Sequence, residues 1–257
     1  MKKLLLVLFI FPFVLQAQDS LFQKKMFIGN GDTLPYRILL PKNYDPGKRY
    51  PMVIFLHGSG ERGNDNEAQL VHGSKLFLAD SNRTKFPAIV VFPQCPDNSF
   101  WSNVQLPVSE DTPRVFKFLE AGAPTVSMAL LEYLMRDLIN VYPVQRNKIY
   151  VGGLSMGGMG TLELLRRNPK FFAAAFSICG GANPKTARKI KNIPLWLFHG
   201  AKDDVVPPKY SLDMAEALLK LNAEVKMTVY PEANHNSWDA TFAEPELLPW
   251  LFSHKKK

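Results

Sequence analysis

The stretch Lys148-Ile-Tyr-Val-Gly-Gly-Leu-Ser155-Met-Gly-Gly-Met-Gly160 narrows what this chain can fold into more than any other. Ile149 and Val151 read as the end of a buried strand and Met156 to Arg167 as a helix, so Ser155 falls at the junction. Gly153-x-Ser155-x-Gly157 is the pattern of a nucleophile elbow. Such a turn lifts a hydroxyl clear of the sheet, and its small flanking residues let backbone pass close. A helix starting at Met156 also directs free N–H groups and its positive dipole end at the space beside Ser155, which suits a developing oxyanion. Gly-x-Ser-x-Gly alone arises by chance in glycine-containing loops. Its weight here comes from the strand before it, the helix after it, and the partners that follow in the chain.

The rest of the chain alternates short apolar strands with helices. Leu21 to Ile28 and Leu34 to Leu40 flank Gly29-Asn30-Gly31-Asp32, a turn of the kind that closes a hairpin, and predict an antiparallel edge. Met52 to Leu56 and Phe86 to Phe92 are continuous apolar runs, expected of parallel strands covered on both faces, with a helix over Asn64 to Leu78 between them. Residues 97–124 are irregular and rich in proline and charge, and read as an insertion over the site, either a lid or a fixed wall. Apolar residues at helical spacing predict a helix from Thr125 to Val141. Strands are then expected at Phe171 to Ile178, Pro194 to Phe198 and Val225 to Tyr230, and helices at Ser211 to Leu221 and Phe242 to His254. This order describes an α/β fold with a mainly parallel central sheet, helices on both faces and an antiparallel N-terminal edge. Ligands bind such sheets beyond the carboxyl ends of the strands, where His57, Ser155, Asp203 and His235 all fall.

Met1 to Ala17 has Lys2 and Lys3, an apolar run from Leu4 to Leu15, and a small residue at its end. That is the layout of a secretory signal peptide cut between Ala17 and Gln18, and it predicts a secreted or periplasmic protein. The run is short for a bilayer span and Pro12 interrupts it, so no stable membrane insertion of the mature chain is expected. The formal charge of +8 includes both leader lysines, and the remaining cations are scattered apart from Lys255 to Lys257. Without a basic helix interleaved with aromatics, nucleic acid is not an expected partner. Cys95 and Cys179, the two cysteines, are too few for a disulfide framework or a zinc site. They are left either as one bridge or as two buried thiols.

A serine hydroxyl needs a base to take its proton, and imidazole has the pKa for that at neutral pH. Of five histidines, His57 and His199 end apolar strands beside glycine and read as structural. His72 lies in the expected helix and His254 in a charged tail. His235, in Pro231-Glu-Ala-Asn-His-Asn-Ser-Trp238 after the last strand, is the candidate base. The acid that orients it is Asp203 or Asp204, in the turn after the preceding strand. Gln94, Trp101 and Trp238 lie in loops at the strand ends and are candidates for lining a substrate pocket, tryptophan being able to stack on a sugar or phenolic ring. Glu61 and Arg62 are placed to pair with each other and shape the loop after His57.

Leu56-His-Gly-Ser-Gly-Glu-Arg-Gly63, Pro93-Gln-Cys-Pro96, Gly153-Leu-Ser-Met-Gly157, His199-Gly-Ala-Lys-Asp203 and His235-Asn-Ser-Trp238 occur in an order that resembles the α/β-hydrolase superfamily. Within it the chain resembles bacterial secreted carboxylesterases, related to the phospholipase/carboxylesterase, feruloyl-esterase and polyhydroxybutyrate-depolymerase groups. The resemblance covers nearly the whole mature chain and implies one catalytic domain over residues 18–257. It implies Asp203 as the acid, at the fifth position of His-Gly-x-x-Asp, and the backbone N–H groups of Met156 and of Ser59 or Gly60 as oxyanion donors. The implied reaction is two-step acyl transfer through Ser155, with no metal or organic cofactor. The expected substrate is a small-molecule or polysaccharide-linked ester, with feruloyl or acetyl groups on plant polysaccharide as the leading case. A serine peptidase of prolyl-oligopeptidase type and a noncatalytic binding protein on a hydrolase scaffold are the alternatives. Acyl preference and oligomeric state are not written in these motifs.

Overall fold

Runs that are apolar at every position need cover on both faces, and this is how the central strands are buried. The structure is a computed structural model that describes residues 21–29, 31–105 and 115–256. The expected leader, Met1 to Ala17, lies outside them, as do Asn30 of the hairpin turn and residues 106–114 of the expected insertion. The main strands are β1 (Gln23–Gly29), β2 (Asp32–Leu39), β3 (Tyr50–Leu56) and β4 (Ile89–Pro93), with β5 (Val104–Gln105) and β6 (Lys117–Phe118) forming a separate short ribbon. β7 (Val144–Leu154), β8 (Ala174–Ile178), β9 (Leu195–Gly200) and β10 (Val225–Tyr230) complete the main sheet. Its order is β1-β2-β4-β3-β7-β8-β9-β10. β1 with β2 and β2 with β4 are antiparallel, and every neighbouring pair from β4 to β10 is parallel. This is the mainly parallel sheet with an antiparallel N-terminal edge that the sequence predicts.

The helices are α1 (Ser74–Leu78), α2 (Asp80–Lys85), α3 (Val126–Val141), α4 (Met156–Arg167), α5 (Ala187–Ile190), α6 (Lys209–Leu219), α7 (Trp238–Phe242) and α8 (Leu247–Ser253). In β3, Met52, Ile54 and Leu56 enter one core with Met128, Leu131 and Leu134 of α3, Leu162 of α4 and Met214 of α6. Val53 and Phe55 enter a second core with Phe77 of α1 and Leu247, Leu248 and Leu251 of α8. At about 25 cal/mol per Å² of apolar surface, two such layers supply most of what holds the sheet together. Thr125 starts α3, its side-chain oxygen accepting the Met128 N–H at 3.1 Å.

Two expected helices are shorter than the sequence predicts. In place of one helix over Asn64 to Leu78, the Asp65 carboxylate accepts the N–H groups of Glu67 (2.8 Å) and Ala68 (3.1 Å), a short 3-10 turn follows at Ala68–Leu70, and Gly73 at φ 83° interrupts the chain before α1. The final helix, expected from Phe242 to His254, begins only at Leu247 as α8: α7 ends at Phe242, and the turn between them contains Pro245, which has no N–H to continue a ladder. Cys95 and Cys179 are buried free thiols. Cys95 follows β4 and Cys179 follows β8, three strand spacings away in the sheet. At about 4.8 Å per spacing, the separation is roughly twice what a disulfide spans. Among the described residues, no helix is long and apolar enough to cross a membrane.

Candidate active site

Ser155 stands at the end of β7 with φ 51° and ψ −116°, outside the regions a non-glycine residue favours. It is held there by its N–H, which donates to Ile178 O at 2.8 Å, and by α4, which begins at the next residue. The turn is so close that a Cβ on Gly157 would lie 1.9 Å from Leu56 O, and one on Gly153 would lie 2.5 Å from Gly157 O. Both positions require glycine because α4 enters against the backbone of β3. Met156 is the first residue of α4, so its N–H has no carbonyl partner within the helix. Ser59 opens a 3-10 turn after β3, and a Cβ on the preceding Gly58 would sit 3.7 Å from Ser155 Cβ. The Ser59 turn and the α4 terminus therefore flank Ser155.

His235 and Asp203 complete one hydrogen-bonded chain. His235 Nε2 lies 2.9 Å from Ser155 Oγ, and His235 Nδ1 lies 2.8 Å from Asp203 Oδ2. A carboxylate accepts only, so Nδ1 carries the proton and the Nε2 lone pair faces the serine. Asp203 Oδ1 accepts the N–H groups of Val205 (3.0 Å) and Val206 (2.8 Å). Burial raises the Asp203 pKa, but the donors from His199, His235 and Val206 outweigh it and hold the carboxyl well below the usual carboxylate range. Asp204, the other candidate, is exposed, and its N–H is bound to Asn234 Oδ1 at 3.2 Å.

The remaining candidates separate by burial. Trp238 stands edge-on to His235, ring centroids 5.5 Å apart, and on its other side meets His72 at 5.1 Å. It walls the imidazole. Trp101 is fully buried, its ring 5.4 Å from His57, and a Cβ on Gly160 would strike it. Gln94 is also fully buried and spends its amide on the Asn66 N–H (2.7 Å), Asp65 Oδ1 (2.8 Å) and Glu61 O (3.3 Å). Neither lines a pocket as the sequence suggested, because Gln94 is committed to tying loops together and Trp101 is packed against His57 and α4. Glu61 and Arg62 do not pair. Arg62 donates to the carbonyls of Ser59 (3.1 Å) and Asp97 (3.0 Å), while Glu61 turns toward His72.

His57 is structural as expected. Its Nε2 accepts the Cys95 N–H at 2.9 Å, so the proton is on Nδ1, which donates to Gly58 O at 2.6 Å. Burial lowers its pKa to about 4 and keeps the ring neutral. Sequence reasoning missed that His199 reaches Asp203 (3.2 Å), although its position four residues before the aspartate was a signal. It also missed Cys179, at φ 41° directly behind the site. Cys179, Asp203 and His235 bring potential ligand atoms within 4.8 Å of one another. The set does not fit a resident metal, since the Asp203–His235 hydrogen bond uses the atoms an ion would take and burial pushes the Cys179 thiol pKa up.

A polarised hydroxyl, an imidazole with its lone pair on that hydroxyl, a fixed carboxylate and amide donors nearby can together carry acyl transfer. Comparison with known proteins points the same way. A family described as Phospholipase/Carboxylesterase matches residues 45–244. Lysophospholipase-like protein 1 of Mus musculus is 24% identical over 200 residues, covering 74% of this chain and 81% of that protein. A solved thermostable esterase superposes with TM-score 0.84 at 33% identity, over 93% of this chain and 64% of that one, so the chain spans less than two thirds of that protein. A CE1 ferulic acid esterase from Anaeromyces mucronatus, in complex with ferulic acid, has TM-score 0.64 at 18% identity over 86% of each chain, a likeness of fold.

Proposed function

The chain belongs to the phospholipase/carboxylesterase family of the α/β-hydrolase superfamily and is a serine ester hydrolase, and from that premise we propose that Ser155, His235 and Asp203 are its catalytic triad and that it is an exported esterase. The observation that carries the site assignment is the unbroken relay from Ser155 Oγ through His235 to Asp203 Oδ2. Ser155 Oγ attacks the ester carbonyl as its proton passes to His235 Nε2, and the imidazolium is held by Asp203. The Met156 and Ser59 N–H groups take the oxyanion, each such donor contributing about 3 kcal/mol in the transition state. The tetrahedral intermediate collapses, His235 returns the proton to the departing alkoxide oxygen, and an acyl-Ser155 remains. Water, losing its proton to His235, then attacks the acyl carbon and releases the acid, and Ser155 regains its proton.

The substrate reading is an aromatic or acetyl ester carried on polysaccharide. Phe116, Phe118 and Tyr210 pack together with ring centroids 5.2–6.1 Å apart, and Phe116 clusters with Met159 and Val206. Met159 is one turn along α4 from Ser155, and Val206 donates to Asp203. This apolar wall beside the relay favours an aryl acyl group, in keeping with what the ferulic acid esterase binds. Export rests on the Met1 to Ala17 pattern, which would leave residues 18–257 as one catalytic domain.

The test is hydrolysis of p-nitrophenyl acetate, butyrate and octanoate, methyl ferulate and acetylated xylan by wild type and Ser155→Ala. The mutant should lose about 10⁴-fold or more in kcat on every ester that wild type hydrolyses. Turnover of small aryl esters with none of methyl ferulate or acetylated xylan would remove the polysaccharide reading. N-terminal sequencing of the exported protein should begin at Gln18.

A further inference from the structure

His199, the last residue but one of β9, is fully buried and lies beside Asp203. Its Nε2 lies 3.2 Å from Asp203 Oδ2 and 2.8 Å from Val206 O, and its Nδ1 lies 2.8 Å from Ser211 Oγ, which in turn is 3.1 Å from Gly180 O. A carboxylate and a carbonyl only accept, so Nε2 must carry a proton. Asp203 Oδ2 is thus approached by two imidazole N–H groups: that of His235, hydrogen-bonded to it at 2.8 Å, and that of His199, at 3.2 Å and shared with Val206 O, the nearer acceptor.

We propose that His199 is a positioning residue of this esterase: by setting its Nε2–H beside the oxygen that His235 also uses, it fixes the Asp203 carboxylate and draws off part of its charge, and so sets the strength of His235 as a base. This rests on the triad reading above. His199 touches neither substrate nor reacting atoms and acts through Asp203.

Other groups around the pair are accounted for. The turn after β9 carries Lys202, paired with Glu232 at the surface, and the exposed Asp204. From α6 come Ser211, bound to His199, and Tyr210, whose hydroxyl accepts the Phe116 N–H at 2.9 Å. The end of β8 presents the Cys179 thiol, which burial keeps protonated. The loop after β10 presents His235 itself, and beyond Trp238 lie His72 and Glu61. Among the described residues, the imidazoles within 4 Å of the Asp203 carboxylate are His235, hydrogen-bonded to it, and His199, at 3.2 Å.

Loss of the His199 donor leaves the full carboxylate charge to His235. That favours the imidazolium and moves the acid limb of kcat/KM to higher pH. The experiment is the pH profile of p-nitrophenyl acetate hydrolysis by the mature chain, as wild type, Ser155→Ala, His199→Phe and His199→Gln. In His199→Phe the acid limb should rise by about half to one pH unit. In His199→Gln, whose amide nitrogen can occupy the Nε2 position, the limb should return to that of wild type. A limb that is unmoved or lowered in His199→Phe overturns the proposal, and so does a Gln variant that behaves as Phe does, which would mark a packing effect. Should His199→Phe fail to fold, ¹⁵N-histidine spectra of the wild type decide, because an unprotonated His199 Nε2 at pH 7 overturns the proposal by itself. If Ser155→Ala retains wild-type turnover, the triad reading falls and takes this inference with it. If Ser155→Ala is inactive while the His199 variants keep the wild-type limb, the inference alone falls.

Discussion

His57 is a residue whose protonation the fold resists. Both ring nitrogens are committed in the neutral form, one accepting from Cys95 and the other donating to Gly58, and burial brings the pKa to about 4 from an ordinary value of 6.5. The unfolded chain therefore binds this proton more readily than the native protein between those two values. Stability from the neutral ring is complete above pH 6.5 and is lost as pH falls toward 4. Between pH 7 and pH 4.5 this group should cost roughly 2 kcal/mol. Urea unfolding at both pH values should show wild type losing about that much more than His57→Gln, which is less stable at pH 7 but has no ring to titrate. At this scale Ser155, the Asp203 turn and His235 were legible because their order and loop positions are chemical requirements. Gln94 and Trp101 were misread because the residue types that grip sugars also fill interiors and tie loops. Only the tertiary structure shows that Trp101 lies under His57 and against Gly160.

At the level of elements, the elbow is shaped as much by α4 as by Ser155. The first turn of α4 meets the end of β3 with no room for a side chain at Gly157. Gly157→Ala should destabilise the protein by about 3 kcal/mol or more, as overpacking against backbone does. Gly60 gives the contrast, since a methyl group there would have no neighbour within 4 Å: Gly60→Ala should change stability by less than about 0.5 kcal/mol. Denaturant midpoints of the two variants test the pair, and similar midpoints would contradict the geometry. The strands were readable from their apolar runs, because β3 and β4 are covered on both faces. The helix expected over Asn64 to Leu78 was not. Asp65 accepts three hydrogen bonds that fold the segment into turns, and Gly73, in the left-handed region, sits where a side chain would crowd Phe55 and Phe242 from distant parts of the chain.

Over the whole molecule, the sheet order decides what the cysteines can do. With β3 and β7 between β4 and β8, Cys95 and Cys179 cannot meet, and both are fully buried. Thiol titration with a chromogenic disulfide should therefore find no fast-reacting thiol in the native protein and two after unfolding without reductant. One or none after unfolding would show that the strand order is wrong or that the thiols are blocked. The same order has a consequence for what fails first on warming. His235 follows β10, which among the described residues pairs only with β9 and is the least buried of the parallel strands. Ser155 follows β7, in the middle of the sheet. His235, the proposed base, is thus mounted on the frailer of the two supports, and local opening of such an edge takes less free energy than melting the sheet. Esterase activity should disappear, and return on cooling, several degrees below the temperature at which circular dichroism records the loss of the sheet, so heat would disarm the enzyme before it unfolds it.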